Sequence, residues 1–163
     1  MRDELEMSGK LMTAILIVSM AILAGVLVSM TTATPSSGFN VTVIASGDLP
    51  EPIRAIMNST DFGSSLDVSK IVMLKVLFEP GGTSGWHQHG GPGWVVINSG
   101  NLTYYNESCK PRVSQAPNAS LESGEIHKAV NEGSNPVEVY ATFMLPKDGK
   151  ILIDAPDPGT CPS

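Results

Sequence analysis

The sequence predicts an all-β domain, a sandwich or barrel, preceded by one apolar N-terminal helix. Three observations predict it. Only 16% of the 163 residues are charged while Gly numbers 16 and Pro 12, a balance that suits many turns better than a helical bundle. Beyond residue 38 the chain alternates short apolar or alternating stretches with clusters of Gly, Pro, Asn and Ser. Ahead of these, Leu11 to Met30 reads LMTAILIVSMAILAGVLVSM, twenty residues without a charge.

That apolar run is about 30 Å long as a helix, enough to cross the hydrocarbon of a bilayer. Arg2 and Lys10 precede it and the next positive residue is Arg54, so the positive-inside rule places residues 1–10 in the cytoplasm and the rest outside. The acidic Asp3, Glu4 and Glu6 weaken this bias without reversing it. Two readings stay open: an uncleaved signal anchor over 11–30, or a leader cut near Thr31-Thr32-Ala33. The first gives a membrane-anchored protein with its domain outside the cytoplasm, the second a secreted one. Residues 31–38 (TTATPSSG) are polar and rich in breakers, and read as a tether.

The remaining length is that of one domain. A formal charge of −6 is the wrong sign for a protein that neutralises phosphates, which argues against nucleic acid as a partner. Five of the eight Asn residues, Asn40, Asn58, Asn101, Asn106 and Asn118, stand in Asn-x-Ser/Thr sequons, candidate N-glycosylation sites where the host modifies exported chains. The two cysteines, Cys109 and Cys161, both follow the apolar run, and an even pair in an oxidising compartment is most simply a disulfide. It would tie the Pro-rich tail 154–163 to the loop after residue 105.

The elements follow in order. Phe39–Ala45 alternates and reads as a strand, and Ile53–Asn58, after Pro50 and Pro52, as a short helical turn. Ile71–Phe78 is an apolar run of strand length closed by a turn at Glu79-Pro80-Gly81-Gly82. Strand-like segments follow at Thr83–His89, Trp94–Asn98 and Leu102–Tyr105, with a Ser99-Gly100 hairpin turn between the last two. The stretch from Cys109 to Asn118 reads as a loop, and Glu125–Val130, Val137–Leu145 and Ile151–Ile153 as further strands.

Histidine carries the chemical signal. The chain has three, His87, His89 and His127. On a strand, His87 and His89 leave the same face while Gln88 points the other way. Two imidazoles from one strand and a third from another can make a facial metal set for Fe, Mn, Zn or Cu. The alternative is a pair of solvent-facing or hydrogen-bonded histidines.

The spacing around them resembles the two motifs of the cupin superfamily. Gly81, five residues, then His87-Gln88-His89, with Gly100 further on, is similar to the first; Gly124, His127 and Asn131 are similar to the second. The resemblance covers roughly Ile71 to Leu145 and implies a double-stranded β-helix, or jelly-roll barrel, over residues 39–153, with one divalent transition ion on His87, His89 and His127. A homodimer through the barrel is a further expectation.

The sequence departs from the pattern where it expects an acid after His89, which falls on Trp94, or on Gly93 with the shorter spacing; neither is a carboxylate. In the second motif Glu122 replaces proline and Ala116 replaces glycine. Three neutral imidazoles leave the ion its full charge and suit a Lewis-acid or oxygen-activating role. The resemblance then implies a dioxygenase-like oxidoreductase acting on a small molecule. Glu125 shares strand parity with His127 and is a candidate general base or distant ligand, or else an exposed strand-start residue. Trp94 is expected in the core, as an apolar wall of the pocket. The competing function is a metal- or small-ligand-binding module displayed on the cell surface without catalysis, which the missing acid favours.

Overall fold

A computed structural model describes residues 33–56, 65–159 and 161, and every element among them is a strand. The predicted membrane segment, sequon residue Asn58 and the residues that would complete the expected helical turn lie outside them. Among the described residues no helix is long and apolar enough to cross a membrane.

The strands are β1 (Ser37–Ile56), β2 (Ser65–Thr83), β3 (His87–Gln88), β4 (Gly93–Ser99), β5 (Asn101–Asn106), β6 (Arg112–Gln115), β7 (Ala119–Glu122), β8 (His127–Val130), β9 (Val137–Leu145) and β10 (Ile153–Asp154). They form one antiparallel sheet in the order β10-β3-β8-β2-β9-β4-β7, with β1 on β2 and β5 joining β6 to β8, so that the sheet curls into a nearly closed barrel.

Alternation builds the core. Val72, Leu74, Val76 and Phe78 of β2, Val95 and Ile97 of β4, and the odd positions from Val137 to Leu145 of β9 all face inward and are buried. β9 lies between β2 and β4, with Val76 opposite Val139 and Val95 opposite Ala141, so three alternating strands pack one continuous wall.

Four expectations are corrected. Ile53–Ile56 is strand rather than helical turn, pairing Ile53 with Val68 and Ile56 with Ser65, because the long β1–β2 ladder resumes after a register shift that absorbs Pro50 and Pro52. The Glu79–Gly82 segment does not end its strand: β2 continues through it to Thr83, with Gly81 at φ 74. A Cβ on Gly82 would lie 2.3 Å from the carbonyl oxygen of Gly38, so only glycine lets β1 and β2 approach here. The described part of the expected tether belongs to the fold. Ala33 bridges to Pro156, and the Thr34 hydroxyl accepts the Trp86 N–H at 2.6 Å. Finally, the Cys109–Asn118 loop contains β6.

Cys109 and Cys161 form a disulfide with Cα atoms 5.1 Å apart. The start of the tail is also held by packing, since Ala155 is buried and donates its N–H to the Trp86 carbonyl. Asn40, Asn101 and Asn118 are exposed, and Asn106 is half-buried with its side-chain oxygen accepting from Ser108.

Candidate metal centre

β3 and β8 run antiparallel with His87 directly opposite His127, and His89 follows β3 on the same side. The three rings meet inside the barrel, with centroids 4.5 Å apart for His87 and His127, 4.8 Å for His87 and His89, and 5.1 Å for His89 and His127. All three are buried, and a nitrogen from each lies within 4.8 Å of the others.

Each ring is held from behind by a carbonyl. His87 Nδ1 faces the oxygen of Gly85 at 2.9 Å, His89 Nδ1 that of Ile151 at 2.5 Å, and His127 Nδ1 that of Glu125 at 2.9 Å. A carbonyl oxygen only accepts, so Nδ1 carries the hydrogen and Nε2 is left to act as the ligand atom. The Nε2 atoms of His89 and His127 are buried without a hydrogen bond of good geometry. Orphaned ligand atoms converging on one point fit a metal ion, which would satisfy them all at once. Burial, aided by the neighbouring His127, pushes His87 down to about 4, and burial also lowers His127, so both rings stay neutral and able to ligate at ordinary pH.

Facing these nitrogens is a carboxylate that the motif reading missed. Glu122, the last residue of β7, places Oε2 3.0 Å from His89 Nε2 and Oε1 3.9 Å from His127 Nε2, with its side chain 12% exposed. Burial alone would raise its pKa, but the close contact with His89 and the electrostatic influence of the surrounding imidazoles hold it below the ordinary carboxylate value. β7 carries no apolar alternation that would mark Glu122 as inward-facing. The only sequence signal is that it stands where the second motif expects proline.

Two expected pocket residues are elsewhere. Trp94 is 54% exposed on the outer face of β4, beside Leu121 and Thr142, because Gly93 takes the inward position. The spacing signal was present: six residues separate Gly93 from Gly100, as the first motif requires. Glu125 is exposed rather than aimed at the metal, since β8 begins only at His127 and strand parity does not reach back through the bend at Gly124 and Glu125. Its backbone oxygen orients His127, and the residue lines the space beside that ring. Lys128 places its Nζ over the rings of Trp86 and Tyr105 at 5.0 and 5.3 Å.

The centre stands between two cavities. On one side an apolar chamber of about 280 Å³ runs among Phe39, Leu74, Val95, Val139 and Phe143 up to His87 and His89. On the other a polar vestibule of about 320 Å³ is lined by His127, Glu122, Glu125, Tyr105, Lys110 and Arg112. Tyr104 and Glu122 border both. The Arg112 guanidinium stacks over the Tyr104 ring at 5.0 Å, which holds one cation at the vestibule wall.

Residues 74–143 match the family model described as a cupin domain, and the span contains all three histidines, Glu122 and Asn131. Residues 74–143 form a cupin domain. Solved structures similar to this cupin include the Cupin_2 domain of an XRE family transcriptional regulator from Enterobacter cloacae, 18% identical with a TM-score of 0.45 over 68% of this chain and 99% of that one. A Cupin 2 conserved barrel domain protein from Salinispora arenicola is 14% identical, with a TM-score of 0.47 over 72% and 84% of the two chains. A sugar phosphate isomerase of the cupin superfamily from Silicibacter pomeroyi is 15% identical, with a TM-score of 0.43 over 57% and 71%. No curated protein matches this cupin.

Proposed function

We propose that this cupin binds one divalent transition ion through His87, His89 and His127 and acts outside the cytoplasm as a metal-dependent enzyme on a small anionic molecule. The observation that carries the reading is the convergence of three buried, carbonyl-oriented imidazoles, with a ligand nitrogen of each within 4.8 Å of the others. When bound, the ion supplies Lewis-acid polarisation and, for Fe or Mn, the capacity for O2-dependent oxidation that the cupin dioxygenases use.

The protein's own groups do the rest. Gly85, Ile151 and Glu125 carbonyls fix the ring orientations, and Phe143, with its ring 4.6 Å from that of His89, excludes water on the barrel side. Lys110 and Arg112 line the vestibule together with Glu122 and Glu125, and these two cations are the groups there that would pair with an anionic part of the ligand. The apolar chamber accepts a less polar portion of the ligand. The missing acid favoured the surface-module reading, and the Glu122 carboxylate beside His89 supports the enzyme reading instead. The apolar run at 11–30 and the Cys109–Cys161 bond support an extracytoplasmic domain, anchored or released.

Metal analysis of the full chain purified without chelators tests this, followed by titration with Fe(II), Mn(II), Zn(II) and Cu(II). One ion per chain in the native protein, lost in His87→Ala, is expected. A protein that holds none and takes up none would overturn the metal-dependent reading.

A further inference from the structure

We propose that Glu122 is a fourth protein ligand to this ion, supplied from β7 in place of the acid that the first motif lacks on β4; the proposal rests on the three-histidine metal reading. Position 93 is the inward site of β4 where that acid would stand, and it is sterically closed. A Cβ there would meet Phe143 Cε1 at 2.3 Å. Gly93 is also the direct antiparallel partner of Glu122. Directly opposed residues on neighbouring strands project to the same face from backbones only about 5 Å apart, so a side chain on 122 enters the barrel beside the closed position 93.

The atoms agree with the register. The Glu122 carboxylate touches His89 Nε2 and approaches His127 Nε2, the two orphaned ligand atoms. Among the described residues its ion-pair contacts are to these histidines and to no lysine or arginine. A carboxylate this buried needs a cation or a shared proton close by, and an ion held by the three imidazoles supplies the cation. Phe143 links the two positions, covering Gly93 on one side and stacking on His89 on the other. A hard oxygen donor added to three imidazoles favours Mn or Fe more than imidazole alone does.

The test compares full-length wild type with Glu122→Gln and Glu122→Ala. Affinity for Mn(II) is read by chelator competition, the Co(II) absorption spectrum reports coordination, and metal-free circular dichroism verifies folding. Glu122→Gln is expected to lose on the order of 100-fold in Mn(II) affinity, beyond the loss typical of an outer partner, and to change the Co(II) spectrum. Formate added to Glu122→Ala is expected to restore part of that spectrum. Should both variants misfold, the carboxylate stretch in metal-minus-apo infrared difference spectra of the wild type decides, since a ligating carboxylate must shift. Unchanged affinity and spectrum in a folded Glu122→Gln, or no carboxylate band in the wild-type difference, would overturn the fourth ligand and leave the three-histidine site standing. Failure of the wild type to bind any ion would instead overturn the metal reading itself.

Discussion

The backbone N–H of Gly81 donates to the carbonyl of Asn131 at 2.9 Å, and Asn131 returns a bond to Gly82 at 2.9 Å. The first residue of one motif is thereby stitched to the last residue of the other. The Asn131 side chain, fully buried, donates to the carbonyls of Phe78, Glu79 and Asn135 and accepts from Gly133. It closes the barrel end where β2 runs past β8, and so holds the strand that begins with His127.

Asn131→Ala should therefore destabilise the fold by about 3 kcal/mol, because the cost of leaving buried carbonyls without a donor exceeds that of an average hydrogen bond. Asn131→Asp should be worse, since it keeps the acceptor, loses both donor hydrogens and adds a buried charge. Urea unfolding of the metal-free protein measures both; a loss under 1 kcal/mol in either variant would contradict the clamp.

Acid should weaken the metal-free domain through the same histidines that bind metal. In the unfolded chain a histidine takes its proton near 6.5, whereas His87 in the fold does so only near 4. Between those values the unfolded state binds more protons, so stability is full above pH 6.5 and falls as pH drops toward 4. His127, also lowered, and Glu122, held below its ordinary value, act with the same sign. For His87 alone the loss is on the order of 3 kcal/mol. Denaturation midpoints in chelator at pH 7.5, 5.5 and 4.5 should descend, and a flat series would refute the burial of neutral imidazoles.

Ligand capture and metal binding should separate. Arg112→Ala and Lys110→Ala remove cations from the vestibule without touching the histidines. The metal content of both variants should match wild type, while the concentration of a small carboxylate such as oxalate needed to perturb the Co(II) spectrum should rise about tenfold for Arg112→Ala. Equal carboxylate responses in wild type and both variants would remove the anion from the proposed substrate class.

Replacing Cys109 and Cys161 by serine should cost about 4 kcal/mol in the chain-entropy account, given the sequence separation of 52. Comparison of thermal unfolding with and without the bond measures it. A double variant as stable as wild type would mean that the bond contributes nothing beyond the packing of Ala155.

How much of this was legible depended on whether a residue's environment lay along its own strand or across to another. β9 is read with its observed limits, Val137–Leu145, because five alternate side chains are buried. The convergence of His87, His89 and His127 also follows from parity and motif spacing. β6 and β7 were missed because each is four residues long, with one side chain buried on β6 and none fully buried on β7. Glu122 went with them, since what brings it to the histidines is its pairing with Gly93, a contact between distant parts of the chain. Trp94 was misplaced because size and apolarity argue for the core, while the spacing to Gly100 that turns it outward is a weaker cue.

The closeness of Gly93 to Phe143 couples these two positions. A carboxylate at position 93 requires the Phe143 ring to move, because the ring fills the space where its first carbon would go. Shrinking Phe143 beforehand would open a hole in the core beside His89, at a cost of several kcal/mol. The two arrangements are thus separated by a destabilised intermediate whichever change comes first, so the effects at 93 and 143 are strongly epistatic. An acid introduced at 93 should therefore be tolerated better together with a smaller residue at 143 than alone.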